Sequence, residues 1–417
     1  MARKMVESGI IWIGKIPANW TIHPVYYYFS ERRHKNSMGR EQNLLSLSYG
    51  NIIKKNIEQL GGLIPESYNT YNIIENGDIV IRPTDLQNDK RSLRTGLAKE
   101  HGIITSAYIT LKPHTGVNSA YFQYLLHTYD IMKVFYNMGN GVRQSLNFTE
   151  FSKLMIFEPP MEEQQKIAAF LDDKCAEIDS LISDIQREID KLERLKRSVI
   201  TEAVTKGLDR GVELKDSCIN WIGSIPANWD IMPNKYLMWK KKCIRPVYGG
   251  EDIISLSMNG VIVRDLDAGG KMPTTFDGYQ YIEKGNLLMC LFDIDVTPRC
   301  IGLIKCNGVT SPAYSQFVMK ELAYADYFNY YYTMLDNDKT LVHLAKNLRH
   351  SLTEEQLGRI PTIVPPIAEQ KRIAAYLDAR CDEFDTILSE KQKQIEILQK
   401  LKKSVIYEYV TGKKEVK

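Results

Sequence analysis

The sequence predicts a mixed α/β (α+β) protein: two globular domains related by an approximate two-fold axis and joined by two long antiparallel coiled-coil helices. Three observations predict it. The phrase WIGKIPANW at residues 12–20 returns as WIGSIPANW at 221–229, and EQQKIAAFLDDKCAEID at 163–179 returns as EQKRIAAYLDARCDEFD at 369–385. The segment LKRSVITEAVT at 195–205 returns as LKKSVIYEYVT at 401–411. The offset is 209 residues for Trp12/Trp221 and 206 for Cys175/Cys381, so the copies are collinear. A repeat of this length is read before any single element, because it fixes the architecture.

Each half opens on the tryptophan phrase, in which Gly and Pro set a turn and Trp buries a large face as a packing anchor. Between the anchors the copies diverge around a shared skeleton: LLSLSYGN (44–51) faces IISLSMNG (253–260), GDIVI (77–81) faces GNLLM (285–289), and RQSL (143–146) faces RHSL (349–352). Short β-branched and aromatic runs broken by Gly, Pro and Asn, such as GDIVIRP and GIITSAYITLKP, read as strands and turns. YFQYLLHTYDIMKVF and YFNYYYTMLDNDKTLVHL read as helices. Each divergent region is thus a mixed globule of roughly 150 residues.

After Pro159-Pro160 and Pro365-Pro366 the pattern changes. Ile178, Ile185, Leu192 and Val199 recur at every seventh position, with Leu181, Ile182, Ile189 and Leu195 beside them. That period predicts a coiled coil on a long helix. The second copy keeps it through Phe384, Leu398 and Val405, with Ile387, Leu388, Ile395 and Leu401 alongside, but places Lys391 where the first has Ile185. A lysine at one seam position stays solvated or fixes register. A helix of about 40 residues is about 60 Å long and can act as a ruler. The acidic starts LDDKCAEID and LDARCDEFD complement the helix dipole. The resulting division is 1–160, a first globule; 161–207, a first helix; 208–366, a second globule; and 367–417, a second helix.

Bulk properties narrow the function without giving it. With 417 residues, 44% of them hydrophobic, the chain folds around real cores without staples, and its formal charge of +3 neither demands nor excludes an anionic partner. The seven cysteines show neither zinc-finger spacing nor a disulfide framework, which fits a reducing cytosol. The sequence has no run of about 18 apolar residues and MARKMVESGI lacks a signal-peptide core, so the expectation is a soluble, cytoplasmic chain without a membrane partner. Phosphate-loop, dinucleotide-binding, HExxH, GxSxG and amino-methyltransferase motifs are all absent, and the nearest match, GNGVRQS at 139–145, lacks the lysine. His101, His127 and His350 have no partner at motif spacing. Neither a catalytic residue nor a metal site is assigned.

What remains suits recognition. RPTDLQNDKRSLRTG at 82–96 places Arg82, Lys90, Arg91 and Arg94 with Thr84, Gln87 and Asn88 in a strand-to-strand loop. Arg and Lys reach guanine or phosphate, and Gln and Asn reach adenine. The equivalent loop CLFDIDVTPRCIG at 290–302 is less basic, with Arg299 aligned to Arg94. Asn259 and the arginines of the repeated RxSL, Arg143 and Arg349, complete the candidate DNA-binding set. Against a phosphate role for RxSL, its Ser can cap the next helix, since SLTEE at 351–355 has the capping-box form. Residues 1–160 hold 18 Lys+Arg against 13 Asp+Glu, whereas 208–366 hold 17 against 18, which weakens a simple electrostatic account for the second globule.

The tandem order WIGxIPxxW, variable globule, PPxxEQxxIAxxLD, long helix and LKxSVIxExVT, repeated once, resembles the specificity (S) subunits of type I restriction-modification systems. The resemblance runs from Trp12 to Lys413. It implies that the globules are target recognition domains, each reading one half of a split, asymmetric site in double-stranded DNA. The helices would set the half-site spacing and dock two modification (methyltransferase) subunits. It also implies a non-catalytic chain that holds no cofactor itself. S-adenosylmethionine would act on the modification subunits, and ATP with Mg would act on the restriction (translocase/nuclease) subunits. Base-contacting residues of the family share no motif, so the residues above stay a physical reading. Three alternatives remain: a DNA-free coiled-coil adaptor, a specificity chain of a methylation-only or other phage-defence system, and an enzyme with an unrecognised site. A DNA reader loses affinity steeply with salt, and an adaptor does not.

Overall fold

In a computed structural model of the chain, the described residues are 3–55, 67–84, 86, 93–138, 145–258, 260–267, 273–297, 299–345 and 350–416. They divide into two compact units, one of residues 1–185 with 393–417 and one of residues 186–392.

The first unit begins with the antiparallel pair Met5–Glu7 and Lys15–Pro17. Thr21–Pro24 then pairs with Met155–Glu158, so the entry and exit strands of the globule lie side by side. At its centre is a four-stranded antiparallel sheet in the order Phe29–Glu31, Ile109–Pro113, Ile79–Ile81, Thr95–Leu97. The helix Ser119–Ile131 packs Tyr121, Phe122, Leu125 and Tyr129 into the core with Ile79, Ile81 and Leu111. The opposite side of the central strand Ile79–Ile81 faces a second, smaller cluster through Val80, under the hairpin Leu45–Ser48/Asn51–Lys54 and the pair Asn72–Ile74/Gly102–Ile104.

The second unit repeats that plan. Leu214–Asp216 pairs with Ser224–Pro226, and Asp230–Pro233 pairs with Pro361–Val364. Its sheet runs Met238–Lys241, Ser315–Met319, Leu287–Met289, Ile301–Leu303, with the hairpin Ile254–Ser257/Gly260–Val263 and the helix Ala325–Asn337 in the corresponding places. The helix predicted over 121–135 stops at Ile131, and the one predicted over 327–344 splits into Ala325–Asn337 and Thr340–Leu344. The cause is the same in both: Lys133 and Lys339 adopt φ of 61° and 52°, a left-handed conformation that ends an α-helix.

Two long helices, Met161–Lys206 and Ile367–Val410, match the periodic segments. At 46 residues the first is about 69 Å long. Each is shared between the units. In the first unit, Phe170 packs on Tyr409 at 4.4 Å and Lys402 pairs with Asp179 at 2.7 Å, so the two segments run antiparallel. In the second unit, Lys196 pairs with Asp385 at 2.6 Å and Lys391 pairs with Glu188, again antiparallel. The seam lysine therefore ends in an ion pair. Leu181, Leu195 and Leu401, read as filling the stripe, are instead 46–51% exposed, whereas Ile178, Ile189, Phe384 and Ile395 are buried.

The tryptophan phrase is an anchor, as expected. Trp20 stacks on Phe157 at 5.5 Å and donates its indole N–H to Glu163 at 3.0 Å, and Trp229, fully buried, donates to Glu369 at 3.0 Å. What closes over each tryptophan is the end of a long helix. Gly207 and Gly412 terminate the helices with φ of 76° and 68°. A Cβ on Gly412 would lie 2.5 Å from Pro17 and 2.8 Å from the Trp20 ring, and one on Gly207 would lie 3.3 Å from the Trp229 ring. Tyr121 donates to the Val410 carbonyl at 3.0 Å in the first unit, and Tyr327 donates to the Val204 carbonyl at 2.9 Å in the second. Each globule is thus sealed by the helix end that belongs, in sequence, to the other repeat.

Candidate nucleic-acid interface

The loop after the central strand is built from its ends. The main chain closes it through Arg82 N–H to the Arg94 carbonyl at 2.8 Å. The Arg94 guanidinium turns inward and donates to the Thr84 carbonyl at 2.6 Å, while the Arg94 N–H is taken by the buried carboxylate of Asp130 at 2.6 Å. Arg94 is fully buried. A buried cation that satisfies main-chain carbonyls cannot also meet a base or phosphate, so the expected DNA contact at Arg94 is corrected to a brace for the loop. Arg82 and Thr84 are half-buried at the loop's start. Gln87, Asn88, Lys90, Arg91, Arg143, Asn259 and Arg349 lie outside the described residues.

In the second unit the matching position is not Arg299. Cys290 N–H donates to the Cys300 carbonyl at 2.8 Å, and Cys300 N–H donates to Asp336 at 3.1 Å, so the ladder pairs Arg94 with Cys300. Burial pushes the Cys300 thiol well above its ordinary pKa, with Asp336 adding to the effect. Arg299, one residue earlier, is mostly covered and donates to Asn337 at 3.1 Å, 3.6 Å from Asp336. It too serves its own globule. The helix caps also fall elsewhere than read: Asn147 caps Phe148–Phe151, and Thr353 with Gln356 forms the capping box of Glu354–Arg359, two residues beyond Ser145 and Ser351.

The three histidines named above sit in different settings. His101 bridges Glu41 at 2.8 Å and Glu75 at 2.9 Å, which raises its pKa, and His350 lies 3.1 Å from Asp295. His127 is held neutral, its pKa lowered to about 4 by burial and by the nearby Lys402 and Lys403. It lines a cleft of about 930 Å³ in the first unit, with Tyr49, Gln123, Asp179, Lys402 and Lys403. Tyr124, donating to Asp172 at 2.8 Å, forms part of the same wall. Amides, a neutral imidazole, the carboxylates of Asp172 and Asp179 and the ammonium groups of Lys402 and Lys403 line this cleft, and Lys402 is paired with Asp179 at 2.7 Å.

Two features escaped the sequence reading. The run 234–245 carries Lys235, Lys240, Lys241, Lys242 and Arg245 with no acidic residue. It lies along and beyond an outer strand of the sheet, where Tyr236 and Trp239 are 55% and 49% exposed. The cations of the second globule are therefore clustered along the chain, a signal that a short-window count would have found, although Lys240, Lys241 and Arg245 pair with Glu354, Glu283 and Glu251. The second is the hairpin tip at Tyr49 and Met258, 79% and 62% exposed. It was legible as aligned skeleton, yet exposure is not written in the alignment.

The family description "Type I restriction modification DNA specificity domain" matches residues 53–191. The chain is 26% identical over 327 residues to a putative type I restriction enzyme MjaX specificity subunit of Methanocaldococcus jannaschii, covering 74% of this chain and 71% of that one. It is 24% identical over 384 residues to the MjaVIII specificity subunit of the same organism, covering 82% of each. Its fold matches a chain solved in work on complex assembly and conformational transition of the type I R-M system, with a TM-score of 0.68 at 13% identity over 95% of this chain and 98% of that one. Among the described residues no helix is long and apolar enough to cross a membrane. The domain match over residues 53–191, two relatives along most of its length and a shared fold agree that the chain is similar to the specificity subunits of type I restriction-modification systems.

Proposed function

We propose that this chain is the non-catalytic DNA-reading subunit of a type I restriction-modification complex. Each globule reads one half of a split asymmetric site in double-stranded DNA. The long helices, paired as a coiled coil, set the spacing and dock two modification subunits around an approximate two-fold axis. In this reading S-adenosylmethionine is held by the modification subunits, ATP and Mg by restriction subunits, and none by this chain. Four segments carry the division of labour: 1–160 and 208–366 recognise, and 161–207 and 367–417 space and dock.

The observation that carries the reading is the exchange of helix ends. Two units with matched anchoring contacts, Trp20 to Glu163 with Tyr121 to Val410 and Trp229 to Glu369 with Tyr327 to Val204, present different loops on one framework. Such a framework offers a repeated partner two equivalent seats and leaves the divergent surfaces for two different targets. The deciding experiment co-expresses the full chain with a modification subunit that binds it and maps methylated adenines by long-read sequencing. A split motif with unlike halves is expected. A continuous motif, or a stable complex that methylates nothing, overturns this reading in favour of an adaptor.

A further inference from the structure

The hairpin Leu45–Ser48/Asn51–Lys54 turns in two residues, since Ser48 pairs with Asn51. Tyr49 and Gly50 both have positive φ, 46° and 82°, the backbone of a type I′ turn. Such a turn favours Asn-Gly, because a large side chain is disfavoured in the left-handed region. Here a tyrosine occupies the first position and stands 79% exposed. In the second unit Ser257 pairs with Gly260, and Met258 takes the matching place, 62% exposed. Tyr49 is not what its turn would choose, and both residues expose a large apolar surface to water.

Behind the tip the hairpin is held firmly. A Cβ on Gly96 would lie 2.6 Å from Leu47 and 3.1 Å from Ile52, and one on Gly302 would lie 2.7 Å from Val261 and 3.2 Å from Leu256. The sheet edge and the hairpin therefore touch backbone to side chain in both units. The tip also meets the end of the loop that begins at Arg82, because a Cβ on Gly50 would lie 3.3 Å from Leu93. Lys54 and Lys55 follow on the outgoing arm and are exposed. In the first unit this two-stranded arm carries two lysines at its outgoing end and one large side chain at its tip, a shape and charge that a DNA major groove admits, while the second arm continues through Val263 into Arg264.

Resting on the function proposed above, we infer that Tyr49 and Met258 are equivalent base-contacting residues, one per half-site, and that their difference contributes to the difference between the half-sites. A tyrosine offers a stacking ring and a hydroxyl, and a methionine offers an apolar contact of the kind a thymine methyl accepts.

The test maps adenine methylation by the full chain co-expressed with its modification subunit, for wild type, Tyr49→Asn and Met258→Ala. Tyr49→Asn places the residue the turn prefers, so a change in it cannot be assigned to misfolding. Expected is a loss of roughly tenfold or more in discrimination at one position of one half-site for Tyr49→Asn, and at one position of the other for Met258→Ala, each sparing the opposite half. Unchanged discrimination in both variants overturns the inference. A uniform fall in methylation at every site overturns it too, and marks the tips as contacts to a protein partner. Wild type yielding no split motif is a different failure, that of the proposed function itself.

Discussion

The anchoring contacts of the two units and their divergent positions obey different rules. At the anchors, chemistry is preserved atom by atom: Gln164 and Gln370 each donate to a proline carbonyl at 2.8 Å, and Tyr124 and Tyr330 donate to Asp172 and Asp378 at 2.8 and 2.7 Å. At other positions in the same register, side chains of unlike kind stand opposite each other, Arg94 against Cys300, His127 against Thr333, Tyr49 against Met258. Buried, geometry-dependent contacts lose a large part of domain stability when altered. Tyr49 and Met258 are exposed and escape that cost, whereas Arg94 and Cys300 are buried and differ in side chain while each gives its main-chain N–H to a carboxylate, Asp130 and Asp336.

The sharpest way to break this comparison is at the tryptophans. Trp229→Ala removes a fully buried indole and is expected to destabilise the protein by about 3–5 kcal/mol in denaturant titrations, with Trp20→Ala close behind. A cost at one site and none at the other would end the equivalence. Next come the carboxylates that seat the loops. Asp130→Ala and Asp336→Ala each strand a buried N–H, of Arg94 and of Cys300, at about 1–3 kcal/mol.

A pH experiment separates the units. His127 has a folded pKa of about 4 against about 6.5 unfolded, so between those values the unfolded chain binds a proton that the folded one refuses. Stability is therefore complete above about pH 6.5 and falls as pH drops, by up to about 2 kcal/mol near pH 5. His127→Thr, which installs the residue of the second unit, should flatten that part of the profile; an unchanged slope would assign it to other groups. The smallest effect belongs to the helix pairs. Lys402→Met and Lys196→Met break ion pairs with Asp179 and Asp385 that face solvent, and each should change stability by about 0–1 kcal/mol, less at high salt.

Much of the scaffold was legible because its signals are local. Heptad spacing pointed to both long helices, Met161–Lys206 and Ile367–Val410, although the second ends seven residues before the expected 417, and the Gly-bounded apolar runs gave the central strands. The helix breaks at Lys133 and Lys339 were not legible, since lysine is a good helix former and only the tertiary setting drives it left-handed. The candidate site was read less well. Arg94 looked like an exposed cation in a basic loop, and its burial depends on Asp130 and on carbonyls the sequence cannot place. Alignment by residue type matched it to Arg299, whereas the strand ladder matches it to Cys300.

Duplication, a globule followed by a long helix in each copy, and the anchoring tryptophans were all readable along the chain, because identity and periodicity are properties of neighbouring residues. Only the tertiary structure decided that Val410 and Gly412 close the first globule while Val204 and Gly207 close the second. It alone decided which arginine is a brace and which tip stands free in water. Those outcomes rest on contacts between residues as far apart in the chain as Pro17 and Gly412, which no local pattern encodes.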